Sequence, residues 1–469
     1  MEISAITPSS QAFQTGPQSM PDEPTAFRIF NSSRRRFFTS LLSVGVAGLP
    51  GFSRAWAQAG GNASNFTPER FGYTGNDLST DTRAFNAALA AAAGQTLTLR
   101  PGGSYRLGRI SIASSVRIEG NGATIHLAGA GAGLYHDRNY DQFEVHGLNI
   151  IGDNNEASEQ HALVFRGSSV KVGKGIISDV HTQMCLQGID TSGFVLCNTY
   201  NTQNDLMLGT TSGRGYGQVM GDGAGTRDPS HKHAYVNVGG FRNGRHALYL
   251  GRFGNVTVTG VKVVEHAYGQ RGQNHHTAVA VSRGTNAILR DVQIIRCSDE
   301  AVSIDDDGTA PGHAGNIDVE FTATDPQNDC IACRIGADGA IPGPDVGVDK
   351  VRVSGRIELN PKNTVRDVQV FAATGVSLDL VVDGARNYRG GDRKVVVNVF
   401  GDARPTYFGD IDIRLAGTIS GTSDIYAFGF YKGAAQSPAR VRIANGLNGS
   451  KDAPFFEATP HMKDMLVTK

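Results

Sequence analysis

The chain has no surplus of charge, with 44 Lys and Arg against 44 Asp and Glu in 469 residues. That balance removes the electrostatic case for a nucleic acid or an anionic membrane surface as partner, since both are recognised first through an excess of positive charge. Cysteine is scarce, five residues and an odd number without regular spacing, so the fold is not expected to depend on a disulfide framework. Cys330-Ile331-Ala332-Cys333 has metal-clip spacing but lies in an apolar, strand-like run. Residues three apart on a strand point to opposite faces, so the pair reads as two small buried hydrophobes and no metal site is assigned there. Long helical patterns are also few. What the chain has instead is glycine, 60 residues of it, between short runs of alternating apolar residues, which indicates short strands joined by turns.

The N-terminal end reads separately. Ser33-Arg34-Arg35-Arg36-Phe37-Phe38 is followed by an apolar run from Leu41 to Leu49 and then by Ala55-Trp56-Ala57. A basic segment, a short hydrophobic core and an A-x-A site stand in the order of an export signal. The apolar run is far below the roughly 18 residues of a membrane span, so no membrane anchor is expected. Ser-Arg-Arg-x-Phe-Phe resembles the twin-arginine signal, which implies a mature chain starting near Gln58 and a periplasmic or secreted location. The remaining length is ample for a large core.

A short alternating strand recurs at His161 (HALVF), Met184 (MCLQG), Asp205 (DLMLG), His246 (HALYL), Thr277 (TAVAV), Glu300 (EAVSI) and Asp329 (DCIAC). The spacings are 23, 21, 41, 31, 23 and 29 residues. One strand per period of that length is what a solenoid coil needs, because each coil buries its inward side chains against the coils above and below. The expected fold is all-β, a single-stranded right-handed parallel β-helix with a short N-terminal capping helix. The layout is a signal over 1–57, a cap segment and first strands over 58–108, the β-helix over 109–445 and a tail over 446–469.

The cap segment carries a resemblance. Phe71 to Gly108, FGYTGNDLSTDTRAFNAALAAAAGQTLTLRPGGSYRLG, holds a Phe-Gly, a turn, a helix start with Thr80 or Asp81 as N-cap and Gly94 as stop, a strand, and Pro101 to Tyr105. It resembles the opening of the pectate-lyase-like family that includes rhamnogalacturonases and phage tailspikes. That resemblance implies the right-handed parallel β-helix and a polysaccharide or oligosaccharide partner. The tailspike branch adds a homotrimer as one assembly.

Equivalent positions on successive coils stack about 4.8 Å apart, so the residues before each strand form a column. Arg245 and His246, His275 and His276, Asp299 and Glu300, and Asn328 and Asp329 fall in it. Asn and Asp alone would be an inert turn ladder. The added guanidinium, imidazoles and carboxylates mark a candidate groove. The 41-residue spacing suggests an overhanging loop beside it, TSGRGYGQVMGDGAGTRDPSHKHAYV, with Tyr216 and Lys232 as further substrate-binding candidates.

Three readings of that groove stay open. Glycoside hydrolysis needs one protonated and one ionised carboxyl group. Asp299-Glu300-Ala301 and Asn328-Asp329-Cys330-Ile331-Ala332 resemble the polygalacturonase signature, and Gly312-His313-Ala314 its Gly-His-Gly. The resemblance implies Asp299 and Glu300 as acid and base, with His313 in support. A lyase or epimerase would use Arg245, His276 or Lys232 as base or neutraliser, with Ca²⁺ held at Asp305, Asp306 and Asp307; otherwise no cofactor is expected. A non-catalytic glycan-binding β-helix would need the groove but no titratable cluster.

Overall fold

The structure, a computed structural model, describes residues 66–468 apart from 137–139, 154, 166–171, 185–197, 201–204, 211–217, 222–232, 242–245, 252, 267–276, 283, 307–311, 328–329, 338–345, 361–365, 371–372, 387–394, 401–409, 422–424, 432–440, 453–454 and 457–466. All of them belong to one compact unit, Ser64–Lys469.

The architecture is a right-handed parallel β-helix. Among the described residues the strands form two sheets, one of 15 strands and one of 13. In the 15-stranded sheet Val256–Val264, Thr285–Ile295, Gly312–Thr324, Val346–Leu359 and Ala373–Arg386 stack in parallel, coil on coil. In the 13-stranded sheet the matching stack is Leu248–Gly251, Thr277–Ser282, Glu300–Asp306, Ile331–Ala337, Arg366–Val370 and Val395–Phe400. Between the sheets lies one continuous apolar core, in which Val279, Val302, Cys333, Val368 and Val397 occupy a single column at 0% exposure. The long strands turn corners where residues adopt positive φ, including Asn286 (60°) and Asn316 (55°). Asparagine tolerates that conformation, and here the Asn316 amide donates to Asn286 Oδ1 on the neighbouring coil at 2.6 Å.

The N-terminal end is closed by the helix Leu78–Ala91, which buries Ala84, Phe85, Ala88 and Leu89 against the first coil. Its N-cap is Asp77, whose carboxylate accepts from Thr80 N at 2.7 Å, in place of the expected Thr80 or Asp81. Asp81 lies inside the helix and is buried. It turns back to accept from Thr74 N at 2.7 Å and Asp77 N at 3.2 Å, so it stitches the preceding turn rather than capping. Tyr105, the end of the Pro-Gly-Gly-Ser-Tyr run, is fully buried and donates to Glu69 Oε1 at 2.8 Å while accepting from Arg100 N at 2.9 Å. Burial pushes its phenol up to about 12.

One coil departs from the repeat. Asp205–Thr210 runs antiparallel to both His161–Phe165 and Gln218–Gly221, and Asn198–Tyr200 runs antiparallel to Val172–Gln183 and His233–Phe241. Gln218–Gly221 and His233–Phe241 then resume parallel stacking on the next coil. The stretch from Thr211 to Val236 is therefore not a simple overhang, since it supplies Gln218–Gly221 to the 13-stranded sheet and opens the strand that follows. Met184, expected to begin a strand, instead follows Val172–Gln183 and is buried.

Candidate functional site

The strand Glu300–Asp306 shows how the fold selects side chains for its two faces. Val302 and Ile304 are in the core, so Ser303 and Asp305 point away from it. Ala301 is in the core as well, and the pairing ladders to both neighbours pass over it, as they do over Ala278 and Ala332. Two successive inward residues mean a kink. Alternation before the kink puts Glu300 on the same outward side as Ser303 and Asp305. The same kink puts Cys330 and Cys333 both in the core, although they are three residues apart.

On this outward side the coils build polar columns. Thr277 and Glu300 are in register, followed by Ile331. The next column is Tyr249, Ala280, Ser303, Arg334, Gln369 and Asn398, and the third is Gly251, Ser282, Asp305 and Gly336. Glu300 is 1% exposed and sits at the centre. Its Oε2 accepts from Thr277 Oγ1 at 2.7 Å and its Oε1 from Arg334 Nη1 at 3.2 Å. His246, also buried, contacts the Thr277 carbonyl through Nδ1 at 2.8 Å, so that nitrogen carries the proton. Its ring packs 5.2 Å from Tyr249.

Asp305 lies at the rim of this network, half-buried in the column of glycine and serine. Ser303 Oγ donates to its Oδ2 at 3.0 Å. Burial raises the Asp305 carboxyl above the ordinary aspartate range; the hydroxyls of Ser282 and Ser303 and the charge of Arg334 oppose that rise, and the charge of Glu300 adds to it. A carboxyl raised in this way, on the same strand as the buried Glu300, is a candidate proton donor to a group lying over the glycines.

Of the other candidates, Asp299 is half-buried just before Glu300, and its carbonyl accepts from Ile331 N at 2.7 Å. Asp306 ends the strand, and His313 lies in Gly312–Thr324; only the backbone of these two is described. Tyr216, Lys232, Arg245, His275, His276, Asp307, Asn328 and Asp329 fall outside the described residues. The register aligns Glu300 with Ile331, two positions beyond the Asp329 that the repeat suggested. Arg334, Ser282 and Ser303 escaped the sequence reading. The available signal was an arginine inside the apolar run Ile331–Ala337, at a position where the preceding coils carry Ala280 and Ser303. A shallow depression on the other sheet, lined by Asp291, Gln293, Glu320 and Thr322, contains no buried titratable group. It reads as a gap between exposed side chains. Among the described residues no helix is long and apolar enough to cross a membrane.

No protein-family model matches the chain, and no curated protein matches it. Among solved structures it is similar to the catalytic unit of a thermostable GH87 α-1,3-glucanase from Streptomyces thermodiastaticus, at 15% identity over 84% of this chain and 70% of that one, with a TM-score of 0.43. It is also similar to the endo-xylogalacturonan hydrolase of Aspergillus tubingensis (14% identity, 84% and 100% covered, TM-score 0.39). A third is the N-terminal fragment of bacteriophage phi29 gene product 12 (14%, 92% and 74%, TM-score 0.42). At these values the likenesses bear on neither activity nor substrate.

Proposed function

We propose that this chain is an exported polysaccharide-acting enzyme, a glycoside hydrolase, with the outward side of the 13-stranded sheet around Glu300–Asp306 as its groove. The observation that carries the reading is the Asp305 carboxyl, raised by burial at the rim of a polar strip whose central carboxylate, Glu300, is paired with Arg334. Neighbouring carboxyl groups with opposed environments divide the work of acid and base. In this reading Asp305 protonates the leaving glycosidic oxygen and half-buried Asp299 is the ionised carboxylate that activates water. Glu300, too enclosed to meet a sugar, is a positioning residue that fixes Arg334 beside Asp305.

The kink supports this division of roles, because it turns Glu300 to the polar side while keeping Ala301 and Val302 in the core. A lyase acting on uronic acids is the second reading. It would draw on a base, with Ca²⁺ or a protein cation neutralising the uronate, chemistry in which Asp305 is not the proton donor. The test is a product assay on a panel of acidic and neutral polysaccharides, with and without a chelator. Reducing ends without the ultraviolet absorbance of an unsaturated uronate are expected. Reducing ends with that absorbance, or a requirement for Ca²⁺, would favour the lyase; neither signal would favour a glycan-binding protein.

A further inference from the structure

The strand Leu248–Gly251 presents an aromatic ring on the same outward side as Asp305. Leu248 and Leu250 are in the core, so Tyr249 and Gly251 face outward, Tyr249 in the column of Ser303 and Gly251 in that of Asp305. Tyr249 is half-buried, whereas Gly251 is buried. A Cβ built on Gly251 would fall 2.7 Å from Tyr249 Cε1 and 3.2 Å from both Cζ and Oη, so the ring leans along the strand into the space that a side chain at 251 would fill. The backbone of Gly251 is not left-handed, so its conformation does not call for glycine; the room for the ring does. The ring also packs against His246, with 5.2 Å between centroids and 35° between planes, and His246 is itself held by the Thr277 carbonyl at 2.8 Å. A tyrosine given room by a glycine and held by an anchored imidazole is preorganised to receive a ligand.

We propose that Tyr249 is the stacking platform of a sugar subsite, two coils to the N-terminal side of Asp305. The inference rests on the reading of this face as a polysaccharide groove. Gly251, Ser282 and Asp305 share one column, so the ring lies over the same line as the proposed proton donor, about 10 Å away at the spacing of two coils. The coil between them places Ala280 and Ser282 on these two columns, and both are small. An extended polysaccharide that runs along the coils with its scissile bond at Asp305 therefore brings another of its sugar units over Tyr249. A pyranose ring has a face of C–H groups, which an aromatic ring covers, and hydroxyls at its edge, which a phenol can meet with a hydrogen bond. Stacking reads the apolar face and not the charge of the sugar, so the subsite takes neutral and acidic pyranose units alike.

Equilibrium binding by titration calorimetry tests this subsite apart from the hydrolase reading, because binding requires no turnover. The probes are oligogalacturonides, xylo-oligosaccharides and α-gluco-oligosaccharides of increasing length, titrated into the full-length protein carrying Asp305→Asn so that none is consumed. The expected result is an affinity that rises about tenfold once the oligosaccharide is long enough to reach Tyr249, a rise that Tyr249→Ala removes and Tyr249→Phe keeps. Gly251→Ala, which displaces the ring without removing it, should weaken binding of the same long oligosaccharides, with melting temperatures recorded to show that each variant is folded. Parental affinity for long oligosaccharides in both Tyr249→Ala and Gly251→Ala would overturn the subsite and leave the role of Asp305 untouched. An equal loss for short and long oligosaccharides would overturn it as well, since a platform two coils away acts only on chains that reach it. Failure of the parent to bind any probe would overturn the subsite together with the groove.

Discussion

The buried pair of Glu300 and Arg334 sets the behaviour of the strip at the scale of single residues. Both side chains are nearly inaccessible, at 1% and 6% exposure, so neither charge can be left alone without loss. Arg334→Leu or Glu300→Leu should each destabilise the protein by about 3–5 kcal/mol, because each strands a buried polar or charged partner. The double replacement should recover most of that loss, and denaturant unfolding of the three variants checks the coupling. Losses that simply add would show that the two side chains do not act as a pair.

Asp305 makes a different prediction. Its carboxyl is raised in the folded state, so the native protein holds this proton more tightly than the unfolded chain does. The stability from that proton is complete below the ordinary aspartate range and is lost as pH rises through the raised value. Asp305→Asn removes the loss. The variant should therefore gain on the parent across that window and keep a constant margin above it, as read from melting temperatures at several pH values. A margin independent of pH would mean that the carboxyl is not raised.

Individual strands were legible in the sequence because inward side chains alternate and recur, as Val279, Val302 and Val368 do. Val302→Asp should prevent folding, since its column is fully enclosed by neighbouring coils and an unpaired charge there has no partner. A variant that melts like the parent would contradict the register. Two features of the elements escaped sequence reading for physical reasons. Alternation has a period of two whichever way the chain runs, so Asp205–Thr210 looked like any other coil strand although it runs antiparallel. A shift of two residues also preserves the alternation, and Asp329 was read as the partner of Glu300 where Ile331 stands. The reversed strand yields its own prediction. Deleting residues 218–221 and bridging the ends with glycine should lower the melting temperature by more than 5 °C, because the segment pairs with Asp205–Thr210 on one side and Leu248–Gly251 on the other. Unchanged melting would return this stretch to the status of a surface loop.

For the whole molecule, the period of the repeat was enough to define a solenoid, and the Phe71 to Gly108 segment was enough to define its capped end. The candidate groove was legible only in part. Glu300 stands out as a charged residue at a repeat position, but the kink that turns it outward depends on Ala301 and Val302 both entering the core, which no spacing reveals. Asp305 looked like one of three crowded aspartates, and what sets it apart is its burial within the stacked coils, which raises its carboxyl against the opposing pull of Ser282 and Arg334. The central claim is that this rim carboxyl is the proton donor of a hydrolase. Its most direct test is the release of reducing ends from the responsive polysaccharide, followed across pH for the wild type and Asp305→Asn, with folding checked in both. The account predicts a wild-type rate that falls on the alkaline side as the raised carboxyl ionises, and a variant at least ~100-fold slower at the optimum that has lost that limb. A folded Asp305→Asn variant with wild-type turnover and an unchanged profile would contradict it.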